Sequence, residues 1–141
     1  MQKVETYPLV WYNQAQGGFF MESIVVFTVP GRPRGKERPR MGRNGKFYTP
    51  RQTREYEETV AWFARAAYKE EPTKDPVRLD LTIRSSKSKA DTSNILKSIE
   101  DGMNGIVYID DRQIKEIHIS RIEGDGEGVD VTVSLLKKEE M

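Results

Sequence analysis

The sequence predicts an α+β domain in which a single mixed β-sheet is packed by two main helices. Three observations carry this. Apolar and polar residues alternate at Val77, Leu79, Leu81 and Ile83, and again at Val129, Val131, Val133 and Leu135, with the period of half-buried strands. Apolar residues recur at three- and four-residue intervals at Tyr56, Val60, Phe63, Ala64 and Ala67, and at Ile95, Leu96, Ile99 and Met103, as on helices with one apolar face. The order is strand, basic loop, helix, strand, helix, strand, strand, which suits one sheet with helices packed on it. At 141 residues the chain is one domain, long enough to bury a real core.

The first twenty residues read differently from the rest. Apolar residues there have no period, and the segment ends in Gln16-Gly17-Gly18-Phe19-Phe20 before Met21-Glu22-Ser23 leads into the strand Ile24-Val25-Val26-Phe27. The expectation is that residues 1–20 are an extension outside the domain, a translated leader, with the domain at 21–141 and Met21 the native start. The coding DNA tests this, because Gln16 to Gly18 should then be spelled by a ribosome-binding sequence.

From Gly31 to Arg51 runs a basic loop. It carries Arg32, Arg34, Lys36, Arg38, Arg40, Arg43, Lys46 and Arg51 against the single acid Glu37, with Phe47 and Tyr48 among them. Pro30, Pro33 and Pro39 prevent regular helix, and the glycines allow close approach to a phosphate. Such a loop is suited to sequence-independent phosphate contacts through Arg32, Arg34, Lys36, Arg38, Arg40, Arg43, Lys46 and Tyr48. A solvated mobile loop is the plain alternative.

Thr49-Pro50-Arg51-Gln52 reads as a capping box with proline at the first helical position, opening a helix that ends before Pro72. The strand from Val77 follows. Asp91, Thr92 and Ser93 are helix-start residues and Gly102, Asn104 and Gly105 helix-end residues, so the second helix spans roughly Ser93 to Met103. Ile117 and Ile119 then alternate in a strand over Ile114 to Ile122, and Gly124-Asp125-Gly126-Glu127-Gly128 joins it to the last strand as a hairpin.

Composition removes several functional classes. With 23 Lys+Arg against 22 Asp+Glu the chain is nearly neutral, so any nucleic-acid affinity must come from charge sorted locally. The absence of cysteine excludes disulfides, thiolate metal sites and cysteine nucleophiles, and suits a reducing cytoplasm. His118 is the only histidine, which argues against histidine-rich zinc sites and a serine-histidine triad. The sequence shows no transmembrane span, internal repeat or cleavable signal.

The chemistry concentrates in Asp91-Thr92-Ser93-Asn94-Ile95-Leu96-Lys97 and, beyond the helix, Asp110-Asp111-Arg112-Gln113. Carboxylates flank the helix, and a strand after the turn could bring Asp111 back beside its N-terminus. Like charges disfavour each other's ionisation unless a cation intervenes, and Mg²⁺ takes oxygen ligands with one or two carboxylates plus water and phosphate. Lys97 lies one turn from Ser93 and leans toward the same end. Alternatively, Asp91 is a plain cap and Asp110-Asp111 a plain turn.

The run from Ala90 to Gly124 resembles the core motif of the RusA family of Holliday-junction resolvases, whose pattern is Asp-x-Asp-Asn, a lysine three residues on, and Asp-Asp-x-Gln before a strand. Asp91, Asn94 and Lys97 match the first part and Asp110, Asp111 and Gln113 the second. The likeness extends upstream through Val29-Pro30-Gly31 and Gly45-Lys46-Phe47-Tyr48-Thr49-Pro50, covering nearly everything from Met21 onward. It implies a homodimeric, Mg²⁺-dependent (alternatively Mn²⁺-dependent) endonuclease, bacterial or phage-encoded, acting on four-way or branched DNA. Asp91, Asp110 and Asp111 would hold the ion, which activates water and neutralises charge on the phosphate, while Lys97 stabilises the transition state or leaving oxygen. Asp91, Ser93, Lys97 and Asp111 are then the catalytic positions. Ser93 departs from the pattern: it replaces the second aspartate and removes one formal charge. A junction-binding protein that does not cut and an RNA-binding module remain the rival classes.

Overall fold

In the strand Val77–Arg84 every second side chain is buried, and the strand on either side of it is hydrogen-bonded to it, so the alternation read in the sequence marks the interior of a sheet. The structure is a computed structural model and describes residues 10–13, 19–124 and 126–138. Its elements are β1 (Val10–Asn13), β2 (Phe19–Pro30), β3 (Arg40–Met41), β4 (Phe47–Tyr48), α1 (Arg51–Ala67), β5 (Val77–Arg84), α2 (Thr92–Met103), β6 (Ile114–Ile122) and β7 (Gly128–Lys138). Five strands form one mixed sheet in the order β1-β2-β7-β5-β6, and β3 and β4 form a separate two-stranded ribbon. The α+β class with two main helices is thus as expected.

The core is continuous between sheet and helices. Val25, Phe27 and Val29 of β2, the four apolar residues of β5, and Val129, Val131 and Val133 of β7 join Tyr56, Val60 and Ala64 of α1 and Ile95, Ile99 and Met103 of α2 in one cluster. The helices approach closely at Gly102, where an added Cβ would stand 2.6 Å from Cβ of Val60. Gly102 was expected to help end the second helix. It lies inside α2 instead, buried, and its missing side chain is what lets α1 in.

Three further expectations are corrected. Thr49 does not cap α1: the N-cap is Pro50, with no side-chain cap bond, and the Thr49 carbonyl accepts from Arg54 Nε at 3.2 Å. The segment 124–128 is not a hairpin, because β6 and β7 do not pair; β5 lies between them, parallel to β6 and antiparallel to β7. Nor is β6 a half-buried alternating strand. As the sheet edge it is exposed almost throughout, with Ile117 at 42% and Ile119 only partly buried.

The segment expected to lie outside the domain contributes β1 and the start of β2. Val10–Asn13 pairs with Phe19–Glu22, and residues 19–22 pair with 135–138 of β7. The remaining residues of that segment lie outside the described residues.

Candidate active site

Asp91 is the N-cap residue of α2 in backbone terms, since its carbonyl accepts from Ile95 N–H at 3.0 Å, yet its side chain makes no cap bond. The carboxylate is exposed and not committed to holding the helix, which weighs against the plain-cap alternative. Its backbone is fixed from the sheet edge. Arg121 of β6 donates to the carbonyls of Ser88 at 3.0 Å and Ala90 at 2.7 Å and to Thr92 Oγ1 at 3.1 Å, clamping the loop on both sides of Asp91.

Further along α2, Lys97 Nζ donates to Asp111 Oδ2 at 3.1 Å and is paired with Asp101 Oδ1 at 3.4 Å. The Asp111 bond raises the Lys97 ammonium above the ordinary lysine range despite partial burial, so it is cationic at any working pH. Ser93 is four residues before Lys97 and shares its helix face. Asp110 is taken by Arg112, whose guanidinium holds its carboxyl below the usual carboxylate range.

Gln113 explains the shape of the Asp110-Asp111 turn. Its Oε1 accepts from the Ile109 and Asp110 N–H groups, both at 2.9 Å, and its Nε2 donates to the carbonyls of Thr73 at 2.8 Å and Asp75 at 3.0 Å. One amide therefore spans the turn and the α1–β5 connection, satisfying backbone groups that no strand pairs.

Beside Asp91 opens a cleft of 610 Å³, lined by Arg32, Arg34, Lys36, Lys87, Lys89 and Asn94 among others. The first part of the basic loop forms one wall and is docked. Lys36 N–H donates to the Asn94 carbonyl at 3.0 Å, Ser88 Oγ to the Pro33 carbonyl at 2.9 Å, and Glu37 N–H to Thr53 Oγ1 at 3.1 Å. Gly35 permits this approach: a Cβ there would sit 3.0 Å from that of Asn94 and 3.1 Å from that of Ala90. Residues 33–37 are thus hydrogen-bonded to the α2 side of the cleft and to α1.

A family model described as Endodeoxyribonuclease RusA matches residues 30–134, which span the basic loop, both helices and the Asp110-Asp111 turn. The chain belongs to the RusA endodeoxyribonuclease family. The general activity of that family is resolution of Holliday junctions. A relative from Bacillus subtilis (strain 168), described as Uncharacterized protein YqaN, is 26% identical over 134 residues, covering 77% of this chain and 94% of the relative.

The RusA motif residues are only partly gathered. Lys97, Asp111 and Asp101 meet; Asp110 turns to Arg112; Asp91 stands at the cleft. Among the described residues no three His, Cys, Asp or Glu side chains converge as for a metal ion. Of the expected DNA contacts, Lys36 is spent internally, its ammonium on Glu57 at 2.8 Å and Asp101 at 2.7 Å. Burial lowers that ammonium's pKa, but the two carboxylates outweigh it and leave it raised. Arg32 meets Glu127 at 3.5 Å, Arg34 meets Gln52 at 3.4 Å and Arg40 meets Glu37 at 3.2 Å, while Arg38, Arg43 and Lys46 are exposed and Tyr48 is 48% exposed. Sequence reasoning missed Lys87, Lys89 and Arg121. The first two had a signal, a basic run directly before Asp91. Among the described residues no helix is long and apolar enough to cross a membrane.

Proposed function

We propose that this chain is a Mg²⁺-dependent endonuclease for four-way and branched DNA, working as a homodimer, with turnover limited by Ser93. The observation that carries the reading is the pairing of an uncommitted carboxylate, Asp91, with a cleft walled by Arg32, Arg34, Lys87 and Lys89. An acidic centre repels phosphate, and a basic surround of this kind admits it. Asp91 and Asp111 offer hard oxygen donors, the set Mg²⁺ prefers, and two carboxylates are a common complement for it. Asp110 is the expected third, reached by exchanging its pairing with Arg112. Mn²⁺ would be taken by the same oxygens. Such an ion would activate water and offset charge on the scissile phosphate.

The chain's own residues supply the rest. Lys97, held cationic by Asp111 and Asp101, is placed to meet negative charge that develops on phosphate oxygens. Ser93 brings a neutral hydroxyl to the same helix face where the family pattern brings a carboxylate. A two-fold symmetric junction is cut on two strands, which suits a C2 dimer. The soluble-enzyme reading carries with it a cytoplasmic location.

Ser93 also favours a second reading, a branched-DNA-binding protein that does not cut. One experiment separates them: cleavage of a synthetic four-way junction with Mg²⁺ or Mn²⁺ by this chain and by Ser93→Asp, beside a gel shift. Slow cleavage that Ser93→Asp accelerates supports the enzyme. Binding with no cleavage by either protein supports the second reading. Brisk cleavage unchanged by Ser93→Asp would mean that other ligands hold the ion, and preference for structured RNA over branched DNA would overturn both.

A further inference from the structure

The outer half of the basic loop is not a wall of the cleft. Arg40–Met41 and Phe47–Tyr48 pair only with each other, Arg40 opposite Tyr48 and Met41 opposite Phe47, as a ribbon separate from the main sheet. The turn between them is internally bonded: Gly42 N–H donates to the Lys46 carbonyl at 2.8 Å, Gly45 N–H to the Gly42 carbonyl at 3.0 Å, and Lys46 N–H to Asn44 Oδ1 at 3.0 Å. It is therefore a shaped projection. On it Met41 is 62% exposed and Phe47 68% exposed, a cross-strand apolar pair left in water.

A contiguous apolar patch rimmed by charge marks an interaction site more often than a lone exposed side chain does. The ribbon's own charges have one sign, with Arg40 paired to Glu37 and Arg51 to Glu55 just outside it. From Arg38 to Arg51 there are Arg38, Arg40, Arg43, Lys46 and Arg51 and no acid. The partner must be polyanionic and must also offer flat apolar surface. Stacked duplex offers only the first. Bases splayed open at a branch point offer both, and base–aromatic stacking tolerates any sequence because every base has a π-face.

We propose that Met41 and Phe47 form a wedge that stacks on unpaired bases at the branch point, with Arg43 and Lys46 on the flanking phosphates. The ribbon then supplies preference for branched over linear DNA, while the cleft holds the strand to be cut. This rests on the DNA-junction reading above.

The test compares affinities for a four-way junction and a linear duplex of the same length, with 2-aminopurine at the branch point, for the native chain, Phe47→Ala and Phe47→Trp. Phe47 is exposed, so neither change disturbs the core. Phe47→Ala should lower the junction-over-duplex affinity ratio by about 5- to 150-fold, the worth of one stacked base. Phe47→Trp should restore the ratio and the 2-aminopurine response that Phe47→Ala loses. If the native chain shows no junction preference at all, the functional reading itself fails. If the preference survives Phe47→Ala, or both affinities fall in proportion, the wedge is wrong and the functional reading stands. Binding of the ribbon to phosphatidylserine vesicles, with DNA binding unchanged by Phe47→Ala, would make its partner a lipid surface and overturn the wedge.

Discussion

Three oxygens on either side of Asp91 are held by the guanidinium of Arg121, although Arg121 lies on the exposed edge strand and matches none of the named positions of the motif pattern. Its planar fork reaches these acceptors from two nitrogens held in a fixed geometry, whereas the three donors of lysine all sit on one nitrogen. Removing it should leave stability within about 0.5 kcal/mol, as for most surface positions. Cleavage should respond much more, since small misplacement at a reacting centre costs up to about 100-fold. In a Ser93→Asp background, Arg121→Ala should therefore cut the four-way junction at least tenfold more slowly with a nearly unchanged melting temperature, and Arg121→Lys should recover little. Unaltered cleavage in Arg121→Ala would show that the loop needs no clamp. Arg121 was not legible in the sequence because the contact depends on β6 running parallel to β5, a pairing that local pattern does not encode. Gln113 was legible as a motif residue, but its work on four backbone groups was not.

At the scale of elements, the α1–α2 contact is set by an absence. Alanine is the better helix former than glycine by about 1 kcal/mol, so propensity alone favours Gly102→Ala. Against it stand Cβ and Cγ1 of Val60 at 2.6 Å and the backbone carbonyl of Glu57 at 3.1 Å. Overpacking of that kind costs about 1–3 kcal/mol, and a carbonyl inside a helix cannot rotate away, so the steric effect should win. Urea unfolding should show Gly102→Ala destabilised relative to the native chain, and a Gly102→Ala variant as stable as the native chain would place the clash elsewhere. The buried strands were the most legible elements: β5 alternates as its burial does throughout, and β7 does so from Val129 to Val133, after which Ser134 is buried and Leu135 only partly so. β6 was misread because an edge strand needs no apolar row, and 124–128 because glycines mark a turn without saying which strands it joins. β3 and β4 are two residues each, too short to carry a period.

Over the whole molecule, charges of 23 and 22 nearly cancel, so any response to salt must come from where the cations stand. Arg34, Lys89 and Lys36 line the cleft, but Lys36 spends its charge on Glu57 and Asp101. Arg34→Ala with Lys89→Ala should weaken junction binding and flatten the log–log salt slope by up to about 2, since each phosphate left without its cation accounts for roughly 0.9. Lys36→Ala should lower stability and leave that slope nearly as it was, because it strips part-buried Glu57 of its cation and leaves Asp101 with Lys97 alone. A slope that moved with Lys36 and not with Arg34 and Lys89 would reverse the assignment. The pairing of β2 with β7 has a kinetic side. Ser23 and Ser134 share a hydrogen bond of 3.3 Å across 111 residues of chain, and β7 must also find β5 before the sheet has a middle. Closing so long a loop costs entropy before any pairing repays it, and chains dominated by such distant pairings fold toward the slow end of the range for small domains. Until β7 arrives, β2 and β5 each present an open edge, so the newly made chain is most prone to association before its last strand is in place.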